Sequence, residues 1–523
     1  MNTQNTVREH IDVLVLGSGL GGCATAWAAA EQGAEVAIVT RAHQPEESNS
    51  FWAQGGIVFR GRGDSPELLA RDILEAGAHL GDPAAVAVLA REGPELVQSV
   101  LIDQLGVAFD RDPANPAEFD LTREGAHSCA RILHVKDQTG TAIERAFFER
   151  VSNHPRIRLL RGFTAIDLLT IPHHSEEPLD VYRAPQCFGI YALDQSTGEI
   201  FPFRAKQTVL ATGGIGRLYL HTTNPAGARG DGLALAHRAG ARSINLQYVQ
   251  FHPTALFHPS GTFLISEALR GEGARVVDSA GHEFLSAASG GSLAPRDVVA
   301  RGIYQHMLEK GEPCAYLDIT HKPAEWIRER FPGVYAHCAS LGIDITREPI
   351  PIVPAAHYSC GGVAVDVWGQ TSLPGLRAVG EVACTGVHGA NRLGSTSLLE
   401  CLVWGIRAGR QAAQHSAANE AYFPRISPWR YERESADPAL IAQDWLTIRH
   451  TMWNYVGLIR SAKRLERARE ILQELHLEIS QFYRRAALDD AIVGLRNAVE
   501  ASILIVRGAT ECRASRGCHF RVD

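Results

Sequence analysis

The stretch IDVLVLGSGLGGCATAWAAAEQGAEVAIVTR, residues 11–41, constrains the fold more than any other part of the chain. Ile11 to Leu16 form an apolar run suited to a buried parallel strand. Gly17-x-Gly19-x-x-Gly22 follows at once and lets the backbone turn tightly into a helix. Such a turn brings N–H groups up to a pyrophosphate at the helix N-terminus. Alone the glycine pattern is weak; here a strand and a helix flank it as the mechanism requires. The second strand runs into Thr40 and Arg41, so the acidic residue that usually takes the ribose hydroxyls is missing. The fingerprint therefore does not separate NAD from FAD.

The same stretch imitates a signal or membrane segment, because residues 13–30 carry no charge. Gly17, Gly19, Gly21 and Gly22 interrupt it where a signal peptide needs a continuous apolar helix. The preceding MNTQNTVREHID is mixed in charge rather than basic. No targeting or spanning segment is expected, and a soluble, cytoplasmic protein with no membrane partner follows. The net charge of −7 argues against a nucleic-acid partner held by a global positive field. The ten cysteines are scattered without a CxxC pair, and Cys512 and Cys518 lack zinc-ribbon spacing. Incidental reduced thiols and no metal site are expected.

Two further stretches bear on the nucleotide. KQTVLATGGIG, residues 206–216, is an apolar strand ending in Ala-Thr-Gly-Gly. Residues 375–413 give a strand, a long polar glycine loop holding Glu381, and a helix opened by Ser397 and Leu398. A pair so far apart resembles flavoproteins whose FAD domain is interrupted by an insertion. Asp231 in RGDGLALAHRAGA reads as a helix N-cap beside the cofactor. The helix N-terminus at Ser397 is suited to stabilising negative charge.

Six motifs then occur in order: SNSFWAQGGI (48–57), QFHPTAL (250–256), SEALRGEGA (266–274), LAPRDVVAR (293–301), AAHYSCGGV (355–363) and HGANRLGSTSLLE (388–400). Together they resemble the succinate dehydrogenase/fumarate reductase flavoprotein family, from about Asp12 to the C-terminus. The resemblance implies bound FAD, with Gly17, Ser18, Gly19, Leu20, Gly21, Gly22, Arg41, Asn49, Ser50, Phe51, Trp52, Ala53, Gln54, Gly55, Gly56, Asp231, Glu381, Ser397 and Leu398 around it. In membrane-bound members a histidine five residues before the AQGG glutamine carries FAD covalently. Asn49 stands there, and an amide is not a comparable nucleophile, so the FAD is expected to be non-covalent.

Within that family the chain is most similar to members that oxidise L-aspartate, through LTREGAHS at residues 121–128. The resemblance implies that Glu124 faces the substrate's α-ammonium group. The physical logic agrees, because L-aspartate differs from succinate by that group alone. A carboxylate aimed at it makes a charge-assisted hydrogen bond, and one buried without it bears a desolvation cost. The other reading is a soluble fumarate reductase or succinate-oxidising flavoprotein. A non-catalytic FAD-binding module is a more distant one, with no need for His252, Arg296 and Arg392 together.

A dicarboxylate needs convergent donors. His252, Ser266, His357 and Arg392 are the candidates, Arg392 offering a planar fork for a bidentate grip. Many relatives carry threonine where Ser266 stands; the hydroxyl is retained. Arg296 matches the family's proton-transferring arginine, with Glu267 and Arg270 as relay partners. On a helix, Glu267 and Arg270 share a face. His127, Ser128 and His134 are not assigned. The resemblance also implies iminoaspartate as product, O2 (giving H2O2) or fumarate as electron acceptor, and transfer of the product to quinolinate synthase in de novo NAD synthesis.

The expected fold class is α/β: a discontinuous Rossmann-like FAD-binding domain with an inserted α+β capping domain and a C-terminal helical bundle. The expected bounds are 1–245 and 358–425 for the FAD domain, 246–357 for the cap and 426–523 for the C-terminal helical domain, whose bundle is read to about residue 500. DPANPAEFD (112–120) reads as an exposed loop, residues 172–188 as a loop insertion, and 421–438 as a linker. Arg460, Lys463, Arg464 and Arg467 read as a solvated basic face.

Overall fold

Ile11–Leu16 pairs in parallel with Val36–Thr40 on one side and with Ile200–Leu210 on the other. Val36–Thr40 continues in parallel to Ile157–Arg161, and Ile200–Leu210 to Leu376–Ala378. The computed structural model describes residues 11–285, 290–418, 420–429 and 434–523. The central strands are buried along nearly their whole length, as a parallel sheet covered on both faces demands. One cover is the helix Leu20–Glu31 lying against Ser397–Ala418. Gly405 and Gly409 make that approach tight: a Cβ on Gly405 would lie 2.8 Å from the Ala24 methyl and 2.9 Å from the Gly21 carbonyl oxygen.

Ile200–Leu210 serves two sheets. Its first half pairs antiparallel with Cys187–Asp194, which pairs with Phe163–Thr170. Its second half belongs to the parallel sheet, so the strands that leave and rejoin the nucleotide fold lie side by side.

Between those strands in sequence lies a four-stranded antiparallel sheet ordered Val249–Leu256, Ile350–Ser359, Ala315–Asp318, Arg275–Val277. The helices Arg296–Lys310, Ala324–Arg330 and Pro332–Ser340 pack on it around Leu256, Ile303, Leu317 and Ile327. This is the inserted α+β unit. Ile350–Ser359 runs unbroken through the expected boundary at 357/358, so the insertion returns along a strand rather than through a linker.

Three helices follow: Pro438–Val456, Ala462–Tyr483 and Asp490–Glu511. The last continues well past the expected end near residue 500. Trp453, Ile492 and Val499 share one core with Leu218 and Leu235 of the nucleotide unit. Arg460 corrects the sequence reading. It is fully buried, donating to the carbonyls of Val456 and Gly457 and, at 2.7 Å, to that of Gln247. Lys463 and Arg467 are exposed, and Arg464 is half-buried with a bond to the Ile459 carbonyl.

DPANPAEFD is a hairpin, Arg111–Asp112 against Asn115–Phe119, rather than a plain loop. Residues 172–188 hold two short helical turns, Ile171–His174 and Pro178–Tyr182, and Ser175 bridges to Ile426. Of the expected linker, residues 430–433 lie outside the described residues. Among the described residues, no helix is long and apolar enough to cross a membrane. All ten cysteines are free.

Candidate active site

A cleft of about 600 Å³ starts at the glycine turn and runs to the inserted unit. Gly17 has φ +107°, and a Cβ there would fall inside the Ala211 carbonyl, so no other residue fits the turn. Gly19 occupies the N-cap of Leu20–Glu31 and offers no side chain to the helix's first N–H groups. Ser50 Oγ accepts from Leu20 N at 3.2 Å. The remaining amides are available for an anionic ligand.

Ser18, Leu20, Gly21, Arg41, Asn49, Ser50, Trp52, Ala53, Gln54, Gly55, Gly56, Asp231, Glu381, Ser397 and Leu398 also line this cleft, as do Gly17 and Gly19. Gly22 and Phe51 do not. A Cβ on Gly22 would strike the Gly17 carbonyl, so it serves the close packing behind the turn. Phe51 lies under the Arg145 guanidinium at 5.4 Å. Arg41 is already paired with Glu47 at 3.6 Å and Asp490 at 3.5 Å.

Asp231 is not the helix cap. Gly230, in a left-handed conformation at φ +80°, takes that position, and Asp231 is the first helical residue. Its carboxylate accepts from Arg229 at 3.0 Å and from Asn497 at 2.9 Å.

Asn49 Nδ2 donates to Glu381 Oε2 at 2.9 Å, and Ser359 N donates to Glu381 Oε1 at 2.9 Å. Burial pushes the Glu381 carboxyl up to about 7 despite those bonds. Asn49 Oδ1 and Gln54 Oε1 are buried without a partner. Free helix amides, unpartnered amide oxygens and a glycine-lined wall are what a flavin dinucleotide would use, so the residues present fit FAD.

The far end of the cleft is lined by imidazoles and guanidinia. His252 and His357 come from the adjacent strands Val249–Leu256 and Ile350–Ser359, with ring centroids 5.2 Å apart. Thr254 N donates to His252 Nδ1 at 3.3 Å, which leaves the His252 proton on Nε2. Thr223 Oγ1 lies 2.8 Å from His357 Nδ1. Burial, then the nearby Arg296 for His252 and Arg392 for His357, pushes both well below the usual imidazole range. Both are neutral donors near pH 7.

Arg392 Nε donates to Gln250 Oε1 at 3.3 Å and Nη1 to Ser397 Oγ at 3.3 Å. Its guanidinium lies 4.8 Å from the Tyr358 ring centroid. Tyr358 OH donates to Glu400 at 2.8 Å, and His388 Nε2 lies 2.9 Å from the same carboxylate. Ser266 caps the short helix Glu267–Gly271, its Oγ accepting from Ala268 N at 3.3 Å.

Arg296 opens the helix Arg296–Lys310 and donates through Nε to the Glu267 carboxylate. Arg270 lies 3.6 Å from the other Glu267 oxygen and donates to Ser292 O at 2.9 Å. Burial alone would raise Glu267; Arg296 and Arg270 outweigh it and hold the carboxyl below its ordinary value. Burial likewise works against the Arg296 charge, but Glu267 and Glu124 outweigh it.

Glu124 reaches the same space from the 121–131 loop. Its Oε2 is buried with no hydrogen-bond partner. A Cβ on Gly55 would lie 3.2 Å from Oε1, and one on Gly394 2.5 Å from Oε2 and 3.4 Å from Arg296 Nη2. The carboxylate is thus wedged between two glycines and beside Arg296. The loop is pinned behind it: Arg131 pairs with Asp64 at 3.0 Å and Asp72 at 2.9 Å, and Ser128 N donates to Asp72 at 2.8 Å. His134 also lines the cleft, but its Nδ1 lies 3.0 Å from Asp110 and so ties it to the hairpin.

The structure therefore brings Glu124, His252, Ser266, Glu267, Arg270, Arg296, His357 and Arg392 to one cavity wall. Thr223, Gln250 and Tyr358, which hold these side chains, were not singled out from sequence. Gln250 and Tyr358 lie inside quoted motifs, yet nothing local marks them as supports. Thr223 carries no signal at all.

The FAD binding domain family model matches residues 12–398, and the fumarate reductase flavoprotein C-term model matches 446–523. The chain is 44% identical to L-aspartate oxidase 1 of Ralstonia nicotianae, over 98% of this chain and 95% of that one. It is 42% identical to L-aspartate oxidase of Pseudomonas aeruginosa, over 98% and 95%. Among solved structures it superposes on a quinol-fumarate reductase with menaquinol molecules with a TM-score of 0.86 at 26% identity, covering 98% and 92%. Mycobacterium smegmatis Sdh1 in complex with UQ1 gives 0.81 at 29%, covering 98% and 89%. Fold and site together define an FAD-dependent oxidoreductase of the succinate dehydrogenase/fumarate reductase class. Within that class the chain belongs to the L-aspartate oxidase family.

Proposed function

We propose that this protein oxidises L-aspartate to iminoaspartate and passes the electrons to O2, giving H2O2, or to fumarate. The observation that carries this reading is Glu124. Beside the guanidinium and imidazole donors at the far end of the cavity, its unpartnered carboxylate Oε2 is the anionic acceptor a simple diacid does not need and an amino diacid does. Hydrogen bonds to charged groups are roughly twice as strong as neutral ones, so an ammonium partner favours aspartate. Succinate leaves the buried Oε2 unsatisfied, which disfavours it.

When bound, FAD supplies the hydride acceptor. Arg392, His252, His357 and Ser266 hold the two substrate carboxylates, Arg392 by its fork and the histidines as neutral donors. Arg296 moves the proton. A guanidinium is effectively always protonated and cannot simply act as a base. It can take a proton on one nitrogen while Nε releases another to Glu267, so the group stays cationic throughout. Arg270 keeps Glu267 ionised and ready to accept. The inserted unit, about 246–357, closes this wall over the nucleotide unit and excludes water.

The Asn49 amide, engaged with Glu381, offers no nucleophile, so FAD is held non-covalently. In the cell the reaction opens de novo NAD synthesis in the cytoplasm and delivers its product to quinolinate synthase. The test is turnover: purified protein with FAD forms H2O2 from L-aspartate in air and consumes L-aspartate with fumarate in its absence. Inactivity with L-aspartate alongside oxidation of succinate would overturn the reading.

A further inference from the structure

Glu124 presents its carboxylate from a tight turn, and that turn is joined to the loop carrying Arg392. Within the turn, His127 N donates to Glu124 O at 3.2 Å, and Arg123 Nε donates to His127 O at 2.8 Å. Ala126 stands at φ +66°, a left-handed conformation that L residues other than Gly, Asn and Asp seldom adopt. The turn is therefore held in shape by its ends rather than by its own preference. The His127 side chain leaves it and meets the opposite wall: Nε2 lies 3.1 Å from the carbonyl oxygen of Gly394. Gly394 is two residues beyond Arg392, and its Cα faces the Glu124 carboxylate.

We infer that His127 is a positioning residue for substrate selectivity: by donating Nε2–H to the Gly394 carbonyl it fixes the gap between the Glu124 carboxylate and the Arg392 loop, and so sizes the pocket for the substrate ammonium group. This rests on the role proposed above for Glu124.

Several observations converge on it. His127 is 1% exposed, so the bond is shielded from water and is not exchanged for solvent. Burial, the largest influence, holds the imidazole below its ordinary pKa, so it is neutral and has a single N–H to give. A carbonyl partner at Nε2 requires that hydrogen there, and Nδ1 accordingly has no partner. The tolerance on the other side is small, since a methyl on Gly394 would already press on Glu124 Oε2 at 2.5 Å. Asp72 anchors the chain from Ser128 to Arg131, and the His127–Gly394 contact ties the turn to the opposite wall. A charge-assisted hydrogen bond to an ammonium is lost steeply with misplacement, and displacements near 1 Å cost up to about a hundredfold in rate. Fumarate has no ammonium and is insensitive to this gap.

The test compares L-aspartate oxidation with fumarate reduction by a reduced viologen dye, both on the FAD-bound protein. His127→Leu removes the donor; His127→Gln keeps an N–H at about the position of Nε2. Gly394→Ala displaces the Glu124 carboxylate from the opposite wall, its methyl falling 2.5 Å from Oε2 in the parent geometry. We expect His127→Leu to lower kcat/KM for L-aspartate about tenfold or more, mainly through KM, with fumarate reduction within about twofold of the parent. His127→Gln should recover most of the loss, and Gly394→Ala should reproduce it. Parallel loss of both activities, or an unchanged ratio, overturns the inference. If His127→Leu does not retain FAD, His127→Gln and Gly394→Ala decide: near-parental selectivity in the first with lost selectivity in the second supports the pin, and an unchanged ratio in both overturns it. If Glu124→Gln itself leaves the ratio unchanged, the role of Glu124 fails and the inference falls with it, an outcome distinct from failure of the pin alone.

Discussion

Asp137 Oδ2 accepts a 2.8 Å hydrogen bond from the backbone N–H of Gly333, joining the nucleotide unit to the inserted unit beside the cleft. Asp137 lies just before the helix Thr139–Ser152, and Gly333 lies in the first turn of Pro332–Ser340. Asp137, Phe331 and Val334 all line the same cavity. An acid at a helix N-terminus satisfies an orphan amide and complements the helix dipole, a contribution of about 1 kcal/mol. Asp137→Ala should therefore raise KM for L-aspartate several-fold while leaving the thermal midpoint within a few degrees. Gly333→Ala should be more severe, because a Cβ there collides with the Asp137 carboxylate. Steady-state kinetics on both variants check this; an unchanged KM in both would show that the contact does not govern closure.

The Glu267–Arg296 pair sets the second expectation. Arg296→Lys keeps a positive charge but loses the planar fork that exchanges protons between nitrogens, so kcat should fall by about 10² to 10⁴. Glu267→Gln keeps the hydrogen bond and loses the proton acceptor, and should fall within the same range. Rapid-mixing measurements of FAD reduction separate this chemical step from substrate binding. A loss confined to KM would reassign both residues to binding.

The third concerns pH and stability. Glu144 is fully buried beside Cys23 and Cys401, and burial pushes its carboxyl up to about 8; the Ser48 hydroxyl and the Leu20 N–H offset only part of this. The folded protein then holds a proton that the unfolded chain releases near its ordinary value of 4.5. The contribution is fully present below that value and is lost as pH rises through about 8. Glu144→Gln removes the titration. Its unfolding free energy relative to the parent should increase steadily from pH 5 to pH 8 and level off above. A difference independent of pH would contradict the assignment. Comparing the two proteins cancels the opposing slope from histidines such as the half-buried His221, whose ordinary proton is lost on folding.

The parts of the fold legible in the sequence are those specified by neighbouring residues. Ile11–Leu16 with its glycine turn announces a nucleotide strand, since the apolar run, the φ-permissive glycine and the following helix are all local. The ordered motifs likewise carried His252, Glu267, Arg296 and Arg392 to one cavity. What was not legible depends on partners distant in sequence. Helical spacing shows that Arg460 lies by a helix start but not that the Gln247 carbonyl and His519 close over it. The capping pattern suggested Asp231, whereas a left-handed Gly230 moved the cap back by one residue and freed Asp231 to bind Arg229 and Asn497. The Asp64–Arg131–Asp72 anchor behind Glu124 joins residues from three segments and leaves no pattern in any of them.

The central claim is that Glu124 selects an amino diacid over a plain diacid. Anaerobic rapid mixing of the FAD-bound protein with L-aspartate or succinate, for the parent and for Glu124→Gln, measures it directly. Loss of a hydrogen bond to a charged group amounts to about 1.5–3 kcal/mol, so the substitution should cut the aspartate-to-succinate rate ratio by roughly tenfold or more, chiefly by slowing aspartate. Faster FAD reduction by succinate than by L-aspartate in the parent, or the same ratio in both proteins, would contradict it.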